Sequence, residues 1–195
     1  MLNFFREDPF SLTEIRQLLD EQSLKSHSLT TLLEKHHEFM EESLPTLMDK
    51  VAPIDEKQMH LSRFLRLLKV HSRAEEETLY PALLEASERE AHIEGLVGID
   101  EHDIIHHLAD ELKDSDFETY WAEEVDAKAR VLATLVQNHM LDEERTTFNV
   151  AKRDLNPEVL ESLASDYIEK CKHYLDLEII GSRKSLNAHE IQRSL

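Results

Sequence analysis

The chain has 195 residues, with 22 Lys plus Arg against 41 Asp plus Glu, a formal net charge of −19. One domain of about 150 residues with appendages fits that length, and it is long enough to bury a core without disulfide support. Hydrophobic residues at 41% exclude a disordered chain, the acidic balance excludes nucleic acid as a partner, and only 3 Gly and 5 Pro exclude a turn-rich all-β fold.

In chain order, residues 1–10 read as an irregular lead-in without the basic start and apolar middle of a signal peptide. Ser11 and Glu14 form a capping box for a short helix with Leu12, Ile15, Leu18 and Leu19 at helical spacing, and Ser26 to Ser28 marks a break. A first long helix is predicted from Leu29 to Val51, with Leu29, Leu33, Met40, Leu44, Leu47 and Val51 as its stripe and a kink at Pro45. Ala52 to Asp55 reads as a turn with Asp55 as N-cap. A second helix runs from Glu56 to Ala86 along Leu61, Phe64, Leu68, Leu79 and Leu83, with a kink or stop at Pro81. The third, Ala91 to Lys113, carries Gly95 and Gly98, which let a neighbouring backbone approach closely. The fourth runs from Tyr120 to Arg153 through Val125, Leu132, Val136 and Val150.

Asn156 as N-cap and Pro157 at the first position start a fifth helix, which is predicted to end at Ile180 with Gly181 as its stop. Its apolar positions Leu160, Leu163, Ile168 and Leu175 fit either a cover for the bundle's end or an interface with a protein partner or a second copy. The expected organisation is a lead-in and short helix at 1–26, a bundle at 27–155, the added helix at 156–181 and a mobile tail at 182–195. One cysteine, Cys171, implies no oxidising compartment, and no apolar run nears the ~18 residues of a membrane span, so a cytoplasmic protein without a membrane partner is expected. No strand alternation or internal repeat appears, and four amphipathic helices with short connections make an antiparallel up-down bundle.

The 12 histidines are the remaining oddity. Ligands on one helix reach the same metal only when three or four residues apart. His71 lies three past Leu68, and Glu75 four past His71; His102 and His106 are four apart. His139 lies three past Val136, and Glu143 four past His139; His37 lies four past Leu33. A lone inward His is usually a core residue with one hydrogen bond. Five imidazoles and two carboxylates on the inward faces of four helices need a common partner, and a metal centre along the bundle axis supplies it. His36 fits the same stripe as His37, and Glu144 is the runner-up to Glu143. His107 should point away, and His60 lies too far along its helix. His27, His92, His173 and His189 lack partner spacing, and Glu76 and Glu77 read as a solvated face.

This pattern resembles the hemerythrin-like (HHE cation-binding) domain over roughly residues 27 to 153. The run His71-Ser-Arg-Ala-Glu75-Glu76-Glu77-Thr78-Leu79-Tyr80-Pro81 is similar to the family's H-x-x-x-E-E-x-x-L-[FY]-P, and His139-Met-Leu-Asp-Glu143-Glu144 to its counterpart in the last helix. Here the last carboxylate is Glu at a spacing of four, where the oxygen-carrying hemerythrins have Asp at five. The resemblance implies two iron ions per chain, bridged by Glu75, Glu143 and an oxo or hydroxo group. The imidazoles of His37, His71, His102, His106 and His139 would fill most other positions. An odd number of His leaves one position open for dioxygen, nitric oxide or peroxide. The implied function is reversible binding of dioxygen or a similar ligand for sensing, storage or delivery. The alternatives are a di-iron enzyme acting on peroxide or nitric oxide in stress defence or iron-centre repair, and an iron-responsive interaction protein.

Overall fold

In a computed structural model of the protein, Arg16 and residues 28–193 are described, with side chains to residue 178. The predicted Ser11 capping box and His27 lie outside them, and the side chain of His189 lies beyond those described. Every described element is helical and none is a strand. The order is α1 (Leu29–Glu41), α2 (Leu44–Met48), α3 (Ile54–Glu76), α4 (Leu79–Glu85), α5 (Arg89–Asp114), α6 (Glu123–Asp142), a π turn (Glu143–Thr147), α7 (Phe148–Asp154) and α8 (Pro157–Arg193).

Each predicted bundle helix is present, and the two with internal prolines are broken in two. Pro45 opens α2 after the chain leaves helix at Glu42, and α2 ends at Met48 rather than Val51. Pro81 is the third residue of α4, so the break falls at Glu77 and Thr78, upstream of the proline itself. A helical proline clashes with the carbonyl four residues earlier, here that of Glu77, and has no N–H to give it. The Thr78 hydroxyl donates to the Ala74 carbonyl at 2.6 Å and satisfies one acceptor at the broken end. α3 starts at Ile54 with Pro53 before it, so Asp55 is in the first turn, where its charge complements the helix dipole, and not at the cap.

The four bundle helices alternate in direction between two apolar clusters. One holds Leu29, Leu33, Ala74, Leu79, Leu83, Ala91, Phe148 and Ala151, and the other holds Met40, Leu61, Phe64, Leu68, Ile105, Leu112, Val125 and Val136. α1 and α5 enter from the first cluster, and α3 and α6 enter from the second. Between the clusters lies a buried polar layer containing His36, His37, His71, Glu75, His102, His139 and Glu143. Four antiparallel helices therefore cross one another at the level of their histidines.

α8 differs from expectation in two respects. It packs lengthwise on α3 and α1, burying Leu160, Ala164, Tyr167, Ile168, Cys171 and Leu175 in the first cluster. Up to that point its apolar stripe is used within the chain. Helical backbone also runs through Gly181 to Arg193, so the predicted stop at Gly181 gives way to continuous helix. No described glycine has a positive φ, so Gly181 does not adopt the left-handed turn that ends a helix. In ordinary helical geometry a glycine only weakens a helix, by about 1 kcal/mol relative to alanine. No helix among the described residues is long and apolar enough to cross a membrane.

Candidate metal centre

Six of the seven predicted ligands converge. One ligand atom from each of His37, His71, Glu75 and Glu143 lies within 4.8 Å of the others, and the same holds for Glu75, His102 and His139. Glu75 belongs to both groups. Glu143 reaches both sides as well, with Oε2 3.4 Å from His37 Nε2 and 3.4 Å from His139 Nε2. Each pair of imidazoles thus faces the two carboxylates from one side.

The buried atoms His37 Nε2, His71 Nε2, both oxygens of Glu75 and Oε2 of Glu143 have no hydrogen-bond partner. His71 Nε2 stands 3.0 Å from Glu75 Oε2, but without hydrogen-bond alignment. An unsatisfied buried polar group costs about 1–3 kcal/mol, so five such atoms facing one point are hard to reconcile with a core that holds only protein. Across from them, His102 Nε2 and His139 Nε2 are 3.0 Å apart. That spacing suits two donors turned to one ion. The set of imidazoles and carboxylates is one that first-row divalent metals accept.

The far nitrogens are all occupied. His37 Nδ1 donates to Glu144 at 2.8 Å, His139 Nδ1 to Glu101 at 2.7 Å and His102 Nδ1 to Glu76 at 3.2 Å. His71 Nδ1 meets the hydroxyl of Tyr167 at 2.8 Å, and that hydroxyl also lies 2.8 Å from His36 Nδ1. His36 and His37 therefore divide their work: His37 faces the carboxylates and His36 faces Tyr167. Glu143 and Glu144 divide similarly, with Glu143 buried at the centre and Glu144 half-buried behind His37.

His106 is set apart. Its Nε2 is 2.6 Å from the Ser72 hydroxyl and its Nδ1 is 3.4 Å from Glu76, so it neighbours His102 through Glu76 and does not reach Glu75 or Glu143. It lines a surface cleft with Leu65, Leu68, Arg73 and Ala109. His60 lies beside Ser43, and His107 is exposed beside Glu111, as their spacing predicts. His92 and His173 are exposed.

Burial and the charge of Glu143 push the Glu75 carboxyl up to about 8. Glu143 itself is held well below the usual carboxylate range, because the charges of His139 and His37 outweigh its burial. Burial lowers His37 and His139, but their carboxylate neighbours overcome it and raise them to about 10 and about 9. His36, buried beside His71 and His37, falls to about 3 and stays neutral. At neutral pH the metal-free centre is a cage of shared protons.

Tyr80 completes the wall. Its hydroxyl donates to Glu143 Oε1 at 2.9 Å, and its oxygen lies 3.1 Å from His102 Nε2. Gly98 on α5 makes room for the ring, since a Cβ there would lie 2.4 Å from Tyr80 Cε1. Gly95 works as predicted, with the Tyr80 backbone carbonyl 3.2 Å from where its Cβ would be; at Gly98 the close approach is by a side chain instead. Tyr167 and Glu101 did not stand out in the sequence. A tyrosine on the buried stripe of α8 was the available signal for the first, because a buried phenol needs a partner. A lone acidic residue before His102 gave no signal for the second.

Among known protein families, residues 27–151 match the one described as Hemerythrin HHE cation binding domain. No curated protein and no solved structure matches the chain.

Proposed function

The chain belongs to the hemerythrin HHE cation-binding family, and on that premise we propose that it is a cytoplasmic non-haem di-iron protein. In this reading it binds dioxygen, or a related small ligand such as nitric oxide, reversibly for sensing, storage or delivery. The observation that carries the reading is the convergence of five partnerless buried atoms, two of them imidazole nitrogens and three of them oxygens of two carboxylates that each face imidazoles on both sides.

His37 and His71 would hold one ion and His102 and His139 the other, with Glu75 and Glu143 between them. Bound there, two iron ions would supply the electrons for reversible binding of such a ligand. Four imidazoles and two carboxylates leave each ion short of a full shell, which is where a small molecule would enter. The protein's part is to hold the donors still. Tyr80 keeps Oε1 of Glu143 occupied and turns Oε2 inward, while Glu144, Glu76 and Glu101 fix the rings of His37, His102 and His139. Leu68 and Val136, both buried, exclude water from one side.

Protein purified without added metal should contain two irons per chain and show an oxo-bridge absorption that changes reversibly when it is reduced and exposed to air. Fully folded protein with no metal, or with a single zinc, would refute the reading. His106→Ala should keep both irons and the spectrum, since His106 rests on Ser72 and Glu76; loss of one iron would return it to the ligand set.

Metal loading should depend on pH. Metal displaces the protons that Glu75, His37 and His139 hold at about 8, 10 and 9 in the metal-free chain. Apparent affinity should therefore rise from about pH 6 to about pH 9 and protons should be released, as titration calorimetry in buffers of different ionisation enthalpy would measure. The metal-free fold should respond in the opposite sense. All three folded-state values lie above the unfolded ones, so the stability they add is full at low pH and is lost as pH rises through 8 to 10. A metal affinity independent of pH would contradict the proton-cage description.

A further inference from the structure

Three of the four imidazoles at the centre are backed by a carboxylate; the fourth is not. Glu144, Glu101 and Glu76 accept from the Nδ1 atoms of His37, His139 and His102, whereas His71 Nδ1 meets only the phenol of Tyr167. Tyr167 is fully buried and stands on α8, beyond residues 27–151 that match the family. Its oxygen is shared between His71 Nδ1 and His36 Nδ1, each at 2.8 Å.

The proton count on this short chain fixes its direction. A histidine that gives Nε2 to a metal carries its proton on Nδ1, so His71 must donate to the Tyr167 oxygen. Tyr167 has one proton, and its two remaining neighbours are His36 Nδ1 and the Cys171 thiol; the imidazole nitrogen is the far stronger acceptor and takes the proton. His36 then carries its own proton on Nε2. Were the phenol to donate to His71 instead, that ring would be locked in the tautomer whose proton sits on Nε2, which cannot bind metal. The acceptor at His36 therefore keeps His71 ready.

We propose that Tyr167 is the positioning residue of His71, held in its donor direction by His36, so that helix α8 is a working part of the metal centre and the His37–His71 position differs from the His102–His139 position. This rests on the di-metal reading above. A carboxylate behind an imidazole strengthens it as a donor to the metal, and a neutral phenol does so less. The ion beside His102 and His139 is backed by two carboxylates and the ion beside His37 and His71 by one. The second is the more weakly held and the first to leave.

Chelator competition on the full chain tests this, with iron or cobalt(II) as the probe metal and the optical spectrum as a second readout. Wild type should release its two ions in two steps. Tyr167→Phe keeps the ring and its packing but removes the acceptor, and should weaken the first-released ion about 10- to 100-fold while leaving the other unchanged. His36→Leu should weaken the same ion, because the phenol then turns to His71. His36→Gln, whose amide oxygen accepts from the phenol, should restore it. A residue that only packs α8 would not distinguish Leu from Gln at position 36, nor shift a metal spectrum while the metal-free melting temperature stays put. Two ions held with wild-type affinity and spectrum in both Tyr167→Phe and His36→Leu would overturn the inference and leave the di-metal reading standing. A wild-type chain that binds no metal would overturn both. If Tyr167→Phe fails to fold, the His36 pair decides: equal effects of Leu and Gln refute the proposal, and rescue by Gln supports it.

Discussion

Glu75→Gln is expected to abolish metal binding while leaving the metal-free bundle as stable as wild type, or more stable. The two effects have one cause. Glu75 is the carboxylate common to both halves of the centre, and neither of its oxygens has a protein partner. An amide oxygen is a far poorer donor to a cation, so both ions lose a ligand at once. In the metal-free chain the substitution removes a liability, because Glu75 is fully buried beside Glu143 and its carboxyl is pushed up to about 8. The amide resembles the protonated acid in shape and cannot ionise. Wild type, at metal concentrations about 1,000-fold above Kd, should gain about 4 kcal/mol from metal. Glu75→Gln should gain nothing measurable, and its metal-free melting temperature should exceed that of wild type above pH 8. Elemental analysis beside melts with and without iron would read both. Glu111→Gln is the matched control, as Glu111 is exposed and pairs with Lys128 and His107 away from the centre, and it should keep its metal. Wild-type metal content in Glu75→Gln would remove Glu75 from the ligand set.

Gly98→Ala is expected to destabilise the fold, against the ordinary sign for a helix. Inside a helix alanine is favoured over glycine by about 1 kcal/mol. At this position the added Cβ would lie 2.4 Å from Cε1, 2.6 Å from Cζ and 2.9 Å from the hydroxyl of Tyr80. The ring cannot swing away cheaply. It is fully buried, and its hydroxyl is tied to Glu143 with His102 on the same side. Either α5 shifts outward or Tyr80 leaves Glu143, and overpacking of this kind costs about 1–3 kcal/mol. Urea denaturation should therefore show a net loss of about 1 kcal/mol, and at most about 2, once the helix preference is subtracted, and metal retention should fall with it. Adding Tyr80→Leu should recover part of the stability by freeing the space, but not the metal, because the hydroxyl that orients Glu143 is gone. A Gly98→Ala protein more stable than wild type would mean that the ring yields without resistance.

The centre was legible in the sequence because its donors obey helical spacing. His71 with Glu75 and His139 with Glu143 are each one turn apart, and both pairs fall on stripes that the leucines and valines also mark. Spacing along one helix carries no information on where a neighbouring helix ends up. His106 shares its face with His102, but at its level the bundle offers Ser72 and Glu76 rather than the central carboxylates. His36 and His37 were indistinguishable for the same reason, since the tie is broken by Tyr167, a residue 131 positions away in sequence. The two proline breaks were placed to within a few residues, because a proline's steric conflict lies upstream of itself. Gly181 misled because a glycine ends a helix only where the chain turns left-handed, and composition does not reveal that.

The π turn at Glu143–Thr147 has a consequence for the phase of the helix that contains it. Each residue of an α-helix advances the face by about 100°, so an i→i+5 turn acts as a one-residue phase shift between α6 on its N-terminal side and α7 on its C-terminal side. Before it, α6 presents His139; after it, α7 presents Phe148, whose ring stacks on His37 with centroids 5.6 Å apart. Within it, two consecutive glutamates close on opposite nitrogens of that same ring, Glu143 toward Nε2 at 3.4 Å and Glu144 on Nδ1 at 2.8 Å. One widened turn thus acts as tongs: it grips an imidazole on the facing helix at both nitrogens and across one face. The angular register of α7 on α1 and the aim of His37 are set together.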